Sequence, residues 1–139
     1  MSERTKKPAI FLLDDNDAHR TLIKRALAKA GFGMPVVEAR SVIQARSLLF
    51  DLRESAPILA VAVLDLNLGD GRGTDLLREI RSSEKYNSVP VLILSTSALP
   101  SDQQESYNSG ANLFITKDTD PAGFLEQIAK GVASLLNRE

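Results

Sequence analysis

The chain has 139 residues with no cysteine and no tryptophan, and this length corresponds to one compact domain. Hydrophobic residues make up 43% of it and charged residues 25%, a balance typical of a soluble globular protein and not of a disordered one. The absence of cysteine excludes disulfides, thiolate metal sites and cysteine nucleophiles. Seventeen basic and eighteen acidic residues give a net charge of −1, which argues against a nucleic-acid-binding domain.

The N-terminus predicts neither a targeting signal nor a membrane anchor. Residues 1–8 are mostly polar, and we expect a flexible tail there, followed by a single domain over residues 9–139. The first apolar run covers only residues 9–13. A signal peptide needs an apolar stretch of about 7–15 residues and a spanning helix needs about 20. We therefore expect a cytoplasmic protein that binds neither membrane nor nucleic acid.

Five short apolar runs predict β-strands, at residues 9–13, 36–39, 58–64, 91–94 and 113–115. The run at 58–64 is apolar on both faces, as a buried parallel strand must be. Between and after the strands, apolar residues recur at helical spacing within residues 22–30, 42–52, 76–80 and 124–136. A short fourth helix is expected over residues 101–109, on its capping signal and not on apolar spacing.

Start and stop signals support these helices. They are a C-cap glycine at Gly31, capping boxes at Ser41 with Gln44 and at Ser101 with Gln104, and an N-cap before proline at Asp120-Pro121. The fourth helix is very polar, so we expect little packing to hold it and expect it to be mobile.

The strict alternation of strands and helices, with short connections, predicts the fold class. It favours an α/β fold in which a doubly wound, five-stranded parallel sheet carries five helices on its two faces. In such a sheet, ligands bind outside the carboxyl ends of the strands. The residues that end the strands are therefore the ones to inspect for function.

Polar side chains end four of the five predicted strands: Asp14 and Asp15 the first, Asp65 the third, Ser95 the fourth and Lys117 the fifth. Three crowded carboxylates repel one another unless a cation neutralises them. With oxygen ligands alone, the hard ion Mg²⁺ is the natural candidate, bound by carboxylates, water and a phosphate oxygen. An ammonium and a hydroxyl beside it suit a phosphoryl group carried on a carboxylate.

Each of these residues taken alone has a simpler structural explanation. Asp15 could cap a helix, Ser95 could be a turn hydroxyl and Lys117 could be a solvated surface residue. His19, the single histidine, is interpreted as a surface residue. Asp65 differs because it follows seven apolar residues, where an unpaired charge is costly to bury. The joint placement of these groups at one sheet edge is what indicates a functional site.

Four segments together resemble a response-regulator receiver domain. They are Phe11-Leu-Leu-Asp-Asp-Asn16, Val63-Leu-Asp-Leu-Asn-Leu-Gly-Asp-Gly-Arg-Gly73, Pro90-Val-Leu-Ile-Leu-Ser-Thr-Ser97 and Gly110-Ala-Asn-Leu-Phe-Ile-Thr-Lys117. The resemblance extends over residues 9–137, and it implies a flavodoxin-like sheet with strand order 2-1-3-4-5. It also implies that Asp65 is the phosphoacceptor. The implied Mg²⁺ ligands are Asp14, Asp15, Asp65 and the backbone carbonyl of Asn67.

The same resemblance assigns roles to three further residues. Lys117 would contact the phosphoryl group, Ser95 would be the switch hydroxyl and Phe114 the aromatic that changes rotamer with it. The chain departs from the family pattern after Lys117, where Asp118 replaces a proline whose peptide bond is usually cis. We expect either a strained cis peptide or a trans peptide with a rearranged loop at this position.

The residues of two motifs, Leu-Ser-Thr-Ser and Ile-Thr-Lys, are also similar to those of stand-alone receivers that serve phytochrome-type histidine kinases. The resemblance implies a phosphoryl donor, either a sensor histidine kinase or a histidine phosphotransfer protein. A population shift on the face of the fourth helix, fifth strand and fifth helix would carry the signal. With no output domain expected, the signal would leave through a downstream protein target or a homodimer. In this interpretation the chain is not an enzyme.

Two other hypotheses remain open from the residues alone. One is a docking module of receiver fold that works without phosphorylation, although such a module has no need of Asp14, Asp15 and Asp65 together. The other is an aspartyl-nucleophile phosphatase, which would need its nucleophile on the first strand and a general acid two residues later, with Asp17 the nearest match. A flavin-binding domain is disfavoured because carboxylates follow the first strand where a phosphate loop would be needed.

Overall fold

The computed structural model describes residues 7–51, 55–117 and 120–137. Its main sheet has five parallel strands, which we label β1 (Ala9–Leu13), β2 (Val36–Ala39), β3 (Leu59–Asp65), β4 (Val91–Ser95) and β5 (Leu113–Thr116). Their order across the sheet is β2-β1-β3-β4-β5, which confirms the predicted topology. A short antiparallel hairpin, Asn67–Leu68 paired with Gly71–Arg72, follows β3. We call residues 67–72 the acceptor-side hairpin, because the resemblance described above implies that the preceding Asp65 is the phosphoacceptor.

The described residues form five α-helices around this sheet. They are α1 (Asp17–Lys29), α2 (Val42–Arg46), α3 (Gly73–Ser82), α4 (Pro100–Asn108) and α5 (Pro121–Leu136). A π-helical turn at Ser47–Asp51 continues α2. Among the described residues, no helix is both long enough and apolar enough to cross a membrane.

The interior strand β1 shows why the fold has two apolar cores. Alternate side chains of a strand point to opposite faces, so Phe11 and Leu13 pack on one side and Ile10 and Leu12 on the other. The first side contacts α2 and α3, with Leu76, Leu77 and Ile80 fully buried. The second side contacts α1 and α5, whose buried apolar side chains are Ile23, Leu27, Phe124, Ile128, Val132 and Leu135.

The helix α4 stands apart because none of its residues belongs to either core. Of its nine residues, only Ser106 is buried. The prediction of a weakly packed fourth helix agrees with this observation. What holds α4 in place must therefore be polar, and the contacts responsible are described below.

The helix caps are confirmed in part. The Ser41 hydroxyl accepts a hydrogen bond from the Gln44 amide, and Gly31 follows α1 with a φ of 99°, as predicted. The capping box at Ser101 is wrong: α4 starts one residue earlier, at Pro100, and has no side-chain cap. A proline at the first helical position has the required φ already, so the helix begins there. At α5 the Asp120 cap position is confirmed, without a capping hydrogen bond from its side chain.

Arg81, at the end of α3, joins two connecting segments to the sheet. Its guanidinium donates hydrogen bonds of 2.7 Å to the backbone carbonyls of Val89 and Gly110. It also donates to the Asn112 side-chain oxygen at 3.1 Å. The same Asn112 oxygen accepts from the backbone amide of Val91, the first residue of β4. Arg81 thereby fixes the start of β4 and the approach to β5.

We predict that Arg81→Met destabilises the fold by about 3 kcal/mol, because buried carbonyls lose charged donors that methionine cannot replace. Urea unfolding measures the difference. Arg78→Met is the matched control on the same helix, since Arg78 forms an exposed ion pair with Asp75. The control should cost less than about 1 kcal/mol. Equal losses in the two variants would contradict a structural role for Arg81.

Candidate functional site

The carboxylates of Asp14, Asp15 and Asp65 meet at the carboxyl edge of the sheet, where the sequence predicted them. Strands β1 and β3 are hydrogen-bonded neighbours, so the residues that follow or end them lie side by side. One oxygen from each of the three side chains lies within 4.8 Å of the other two. Asp14 and Asp65 are buried, whereas Asp15 is exposed. This set of oxygen donors, open to solvent on the Asp15 side, suits a hard divalent cation.

Lys117 brings a positive charge into the same cluster from the end of β5. Its ammonium nitrogen lies 3.2 Å from Asp65 Oδ2 and 3.4 Å from Asp14 Oδ2. The side chain is only 10% exposed, so water screens these two ion pairs weakly. The Lys117 backbone amide also donates to the Ser95 carbonyl at 2.5 Å, which continues the β4–β5 pairing beyond the strand. The predicted site lysine is therefore in place.

The electrostatics leave Asp65 with an incompletely compensated charge. Burial raises the pKa of the Asp65 carboxyl from its ordinary 3.8 to about 6. The Lys117 ammonium lowers this pKa and the neighbouring Asp14 carboxylate raises it, but the loss of hydration outweighs the attraction to Lys117. A second cation beside the cluster would relieve this imbalance, and the three carboxylates fit a divalent metal ion for that reason.

Two residues hold Asp14 in its buried position. The backbone amide of Asn16 donates to Asp14 Oδ1 at 2.9 Å, and the Arg20 guanidinium donates to the Asp14 carbonyl at 2.6 Å. Arg20 is itself held by an ion pair with Glu38 on β2. Sequence reasoning missed Arg20, because nothing in the spacing shows that a residue of α1 turns back onto the loop before it.

His19 lies close to the acidic cluster. Its Nδ1 is 3.7 Å from Asp14 Oδ2, and this nitrogen is enclosed without a hydrogen-bond partner among the described residues, although the side chain as a whole is 41% exposed. His19 is therefore a surface residue beside the cluster, because α1 starts immediately beyond the Asp14 loop and turns residue 19 back towards it.

The predicted switch residues lie on the two strands beyond β3. Ser95 ends β4 and is buried, and its hydroxyl accepts a hydrogen bond from the Ser97 amide at 2.9 Å. Phe114 on β5 is partly buried and packs against the core formed with α2 and α3. The peptide between Lys117 and Asp118 lies outside the described residues, as Asp118 is not among them.

Gly73 fixes the course of the backbone around Asp65. Its amide donates to the Leu66 carbonyl at 2.7 Å, and a Cβ added at this position would lie 2.2 Å from the Asp65 carbonyl oxygen. The chain therefore returns from the acceptor-side hairpin into α3 in direct contact with the Asp65 backbone. The glycine-rich segment after Asp65 is visible in the sequence, but which glycine makes this contact is decided by the fold.

Comparison with known proteins agrees with this geometry. The family described as response regulator receiver domain matches residues 10–129, so the chain belongs to that family. The match includes all the strand ends that carry the acidic cluster, Ser95 and Lys117. Both the predicted family and its flavodoxin-like fold are confirmed.

Individual relatives lie within the same family. The response regulator Rcp1 of the cyanobacterium Synechocystis is 28% identical over 120 residues, covering 84% of this chain and 82% of that protein. The phosphorylated cyanobacterial phytochrome response regulator RcpA superposes with a TM-score of 0.81 at 32% identity, covering 93% of each chain. A receiver domain from Rhodospirillum rubrum gives 0.84 at 27% identity, covering 94% of this chain and 95% of that one.

We predict that Gly73→Ala displaces the Asp65 backbone and destabilises the protein by at least about 2 kcal/mol, since a methyl group cannot fit beside the carbonyl oxygen. Thermal or urea unfolding measures the loss. Gly33→Ala is the control, because a Cβ at Gly33 meets nothing within 4 Å. A Gly73 variant as stable as the Gly33 variant would show that the hairpin can move away from Asp65.

We further predict that Asp65→Asn stabilises the metal-free protein at neutral pH. Because the folded-state pKa of Asp65 is raised from 3.8 to about 6, the stability linked to its proton is complete below pH 3.8 and is lost as the pH rises through about 6. Asparagine carries no charge and avoids that loss, which is about 2–3 kcal/mol for a shift of roughly two pKa units.

Urea unfolding in the presence of a chelator, at about pH 7.5 and about pH 4, measures this effect. The variant should be more stable than the parent at the higher pH and similar to it at the lower pH. Glu126→Gln on the exposed face of α5 provides the control for loss of a carboxylate. An unchanged difference at the two pH values would show that the Asp65 charge is not costly.

Proposed function

We propose that this receiver domain accepts a phosphoryl group on Asp65 from a phosphohistidine of a sensor histidine kinase or a histidine phosphotransfer protein. The observation that carries the proposal is the buried Asp65 carboxylate, paired with Lys117 and adjacent to two further carboxylates. A carboxylate with a raised pKa in such a setting is a candidate nucleophile. Structural ion pairs alone do not require a third, exposed carboxylate such as Asp15.

Mg²⁺ is the proposed cofactor. Asp14, Asp15 and Asp65, with the backbone carbonyl of Asn67, would hold the ion, which supplies charge neutralisation for phosphoryl oxygens. The chemistry of the donor set supports this assignment, because the described side chains that could share a metal ion are three carboxylates, which offer the oxygen ligands that Mg²⁺ prefers.

In the proposed reaction an Asp65 oxygen attacks the phosphorus of the phosphohistidine. A phosphorus–oxygen bond forms, the phosphorus–nitrogen bond breaks, and its electron pair returns to the imidazole. The Lys117 ammonium, 3.2 Å from Asp65 Oδ2, stabilises negative charge on the transferred oxygens. Such a transfer needs positioning and charge compensation more than covalent chemistry, and the cluster offers both.

Signalling would then pass through Ser95 and Phe114. The new phosphoryl oxygens attract the Ser95 hydroxyl, which in the structure accepts only the Ser97 amide among the described hydrogen bonds. Movement of the loop after β4 makes room for Phe114 to turn inward. The result is a population shift at α4, β5 and α5 that a downstream protein or a second copy of the chain would recognise.

The upstream partner is proposed by similarity. Two of the relatives described above are the phytochrome response regulator RcpA and the response regulator Rcp1. A phytochrome-type histidine kinase is therefore the first donor to test with this chain.

The phosphatase hypothesis lacks support in the geometry. Its general acid would be Asp17, but that side chain is 80% exposed and is ion-paired with Arg20. It lies outside the group of carboxylates that could share a cation. A docking module that works without phosphorylation is the alternative that the following experiment would reveal.

We predict that intact-mass analysis after incubation with acetyl phosphate or phosphoramidate shows a gain of one phosphoryl group, dependent on Mg²⁺. Asp65→Asn should abolish the gain because it removes the nucleophilic carboxylate. Asp75→Asn, an exposed carboxylate on α3, should leave the gain unchanged and serves as the control. No gain in the parent protein, or an undiminished gain in Asp65→Asn, would refute the proposed function.

A further inference from the structure

The helix α4 is held on the protein by a small set of charged contacts. It contributes no residue to the apolar cores, and its first turns carry the carboxylates of Asp102 and Glu105. Both carboxylates contact the guanidinium of Arg72, on the acceptor-side hairpin, at 3.2 Å and 2.5 Å. Because α4 buries so little apolar surface, these ion pairs carry an unusually large share of its attachment.

Arg72 at the same time binds the segment that follows Asp65. Its Nη1 donates to the Asn67 side-chain oxygen at 2.6 Å, across the two-stranded hairpin. Asn67 is two residues beyond the proposed phosphoacceptor, and its carbonyl is a proposed Mg²⁺ ligand. One planar guanidinium thus connects the residues next to the reacting carboxylate with α4, a geometry that a lysine ammonium cannot reproduce.

The contacts continue from α4 to the proposed switch loop. The Ser97 side chain hydrogen-bonds to Asp102, and the Ser97 amide donates to the Ser95 hydroxyl at 2.9 Å. On the other side, Glu105 Oε2 accepts from the buried Thr74 hydroxyl at 2.8 Å. A continuous series of polar contacts therefore runs from Asn67 through Arg72, Asp102 and Ser97 to Ser95.

The charges in this series remain ionised near neutral pH. Hydrogen bonds from Ser97 and then Arg72 lower the pKa of Asp102, and the hydrogen bond from Arg72 lowers the pKa of Glu105. Arg72 is about one-third exposed, so each ion pair by itself is modest. Their combined effect matters because they meet at one guanidinium and share its orientation.

We propose that Arg72 is a positioning residue that holds α4 in the arrangement in which the Ser95 hydroxyl accepts the Ser97 amide, and that it couples α4 to the segment after Asp65. The inference rests on the proposed phosphorylation of Asp65. When the Ser95 hydroxyl is drawn to a phosphoryl group, Ser97 and Asp102 move with it, and the Arg72 contacts oppose that movement. Removing Arg72 therefore shifts the population towards the phosphorylated arrangement.

The first arm of the test uses the unphosphorylated full chain and hydrogen–deuterium exchange. Arg72→Ala should raise the exchange rate of the α4 amides by at least about fivefold, with little change in α3 and α5. Arg46→Ala is the matched control, since Arg46 forms a similar ion pair with Glu79 away from the site. Unchanged α4 exchange in Arg72→Ala, or an equal rise in the control, would overturn the proposal.

The second arm measures the affinity for beryllofluoride with Mg²⁺, a phosphoryl analogue, by ¹⁹F NMR. If Arg72 opposes the phosphorylated arrangement, Arg72→Ala should bind the analogue at least about fivefold more tightly. The double variant Asp102→Asn, Glu105→Gln removes the α4 partners of Arg72 and leaves Arg72 in place. It should bind the analogue more tightly than the parent protein, as Arg72→Ala does. Arg72→Lys should restore part of the parental affinity. An unchanged or weaker affinity in Arg72→Ala would refute the coupling, since a purely structural role predicts no gain.

The two arms separate this inference from the proposed function. If the parent protein does not bind beryllofluoride and Asp65→Asn behaves identically, the proposed function fails. The exchange arm needs no phosphoryl group and still decides whether Arg72 restrains α4. If the parent binds the analogue and Asp65→Asn does not, the proposed function stands, and the Arg72 variants alone decide the coupling.

Discussion

The ammonium of Lys117 is the contact on which the arrangement of the site depends. Asp14 and Asp65 are buried side by side because β1 and β3 are adjacent, and two buried carboxylates without a cation would repel each other strongly. Lys117 comes from β5, two strands away from β3, and reaches both carboxylates across the end of β4. The residue at that end of β4 is Ser95, which is buried.

The same interaction also sets how far the Asp65 charge is compensated. Lys117 compensates only part of the charge, so the pKa of Asp65 stays raised at about 6. A buried carboxylate whose charge is only partly compensated is stabilised by any further cation. It is also stabilised when its negative charge moves to a group that water can solvate better. The exposed Asp15 leaves one side of the cluster open to solvent.

The helices around the site differ in the contacts that attach them to the sheet, and this difference determines which of them can move most easily. Helix α5 buries a row of apolar residues and behaves as part of the core. Helix α4 buries only Ser106 and depends on carboxylates that meet Arg72. Apolar packing resists displacement in every direction, whereas a few ion pairs can be exchanged for hydration at little cost. The element best suited to move is therefore the one with the polar attachment.

The sequence alone was sufficient for the fold class and for most of the site. The alternation of apolar runs with helical periodicity is a local property, and parallel strands bring their carboxyl ends to one edge whatever the details of packing. For this reason Asp14, Asp15, Asp65 and Lys117 could be placed together from spacing alone. The start of α4 was missed at Ser101, because Pro100 favours a helix start more directly than a capping box does.

Only the tertiary structure decided which side chains connect these parts. Arg72 meets Asp102 across 30 residues of sequence, Arg20 reaches Glu38 across 18, and Gly73 touches the Asp65 carbonyl through the return of a hairpin. Long polar side chains have many rotamers and no periodic signal, so their partners depend on how separate elements come to lie against each other. The sequence by itself determined where the chemistry lies, and the packing of α3 and α4 over the hairpin decided how it is linked to the rest of the molecule.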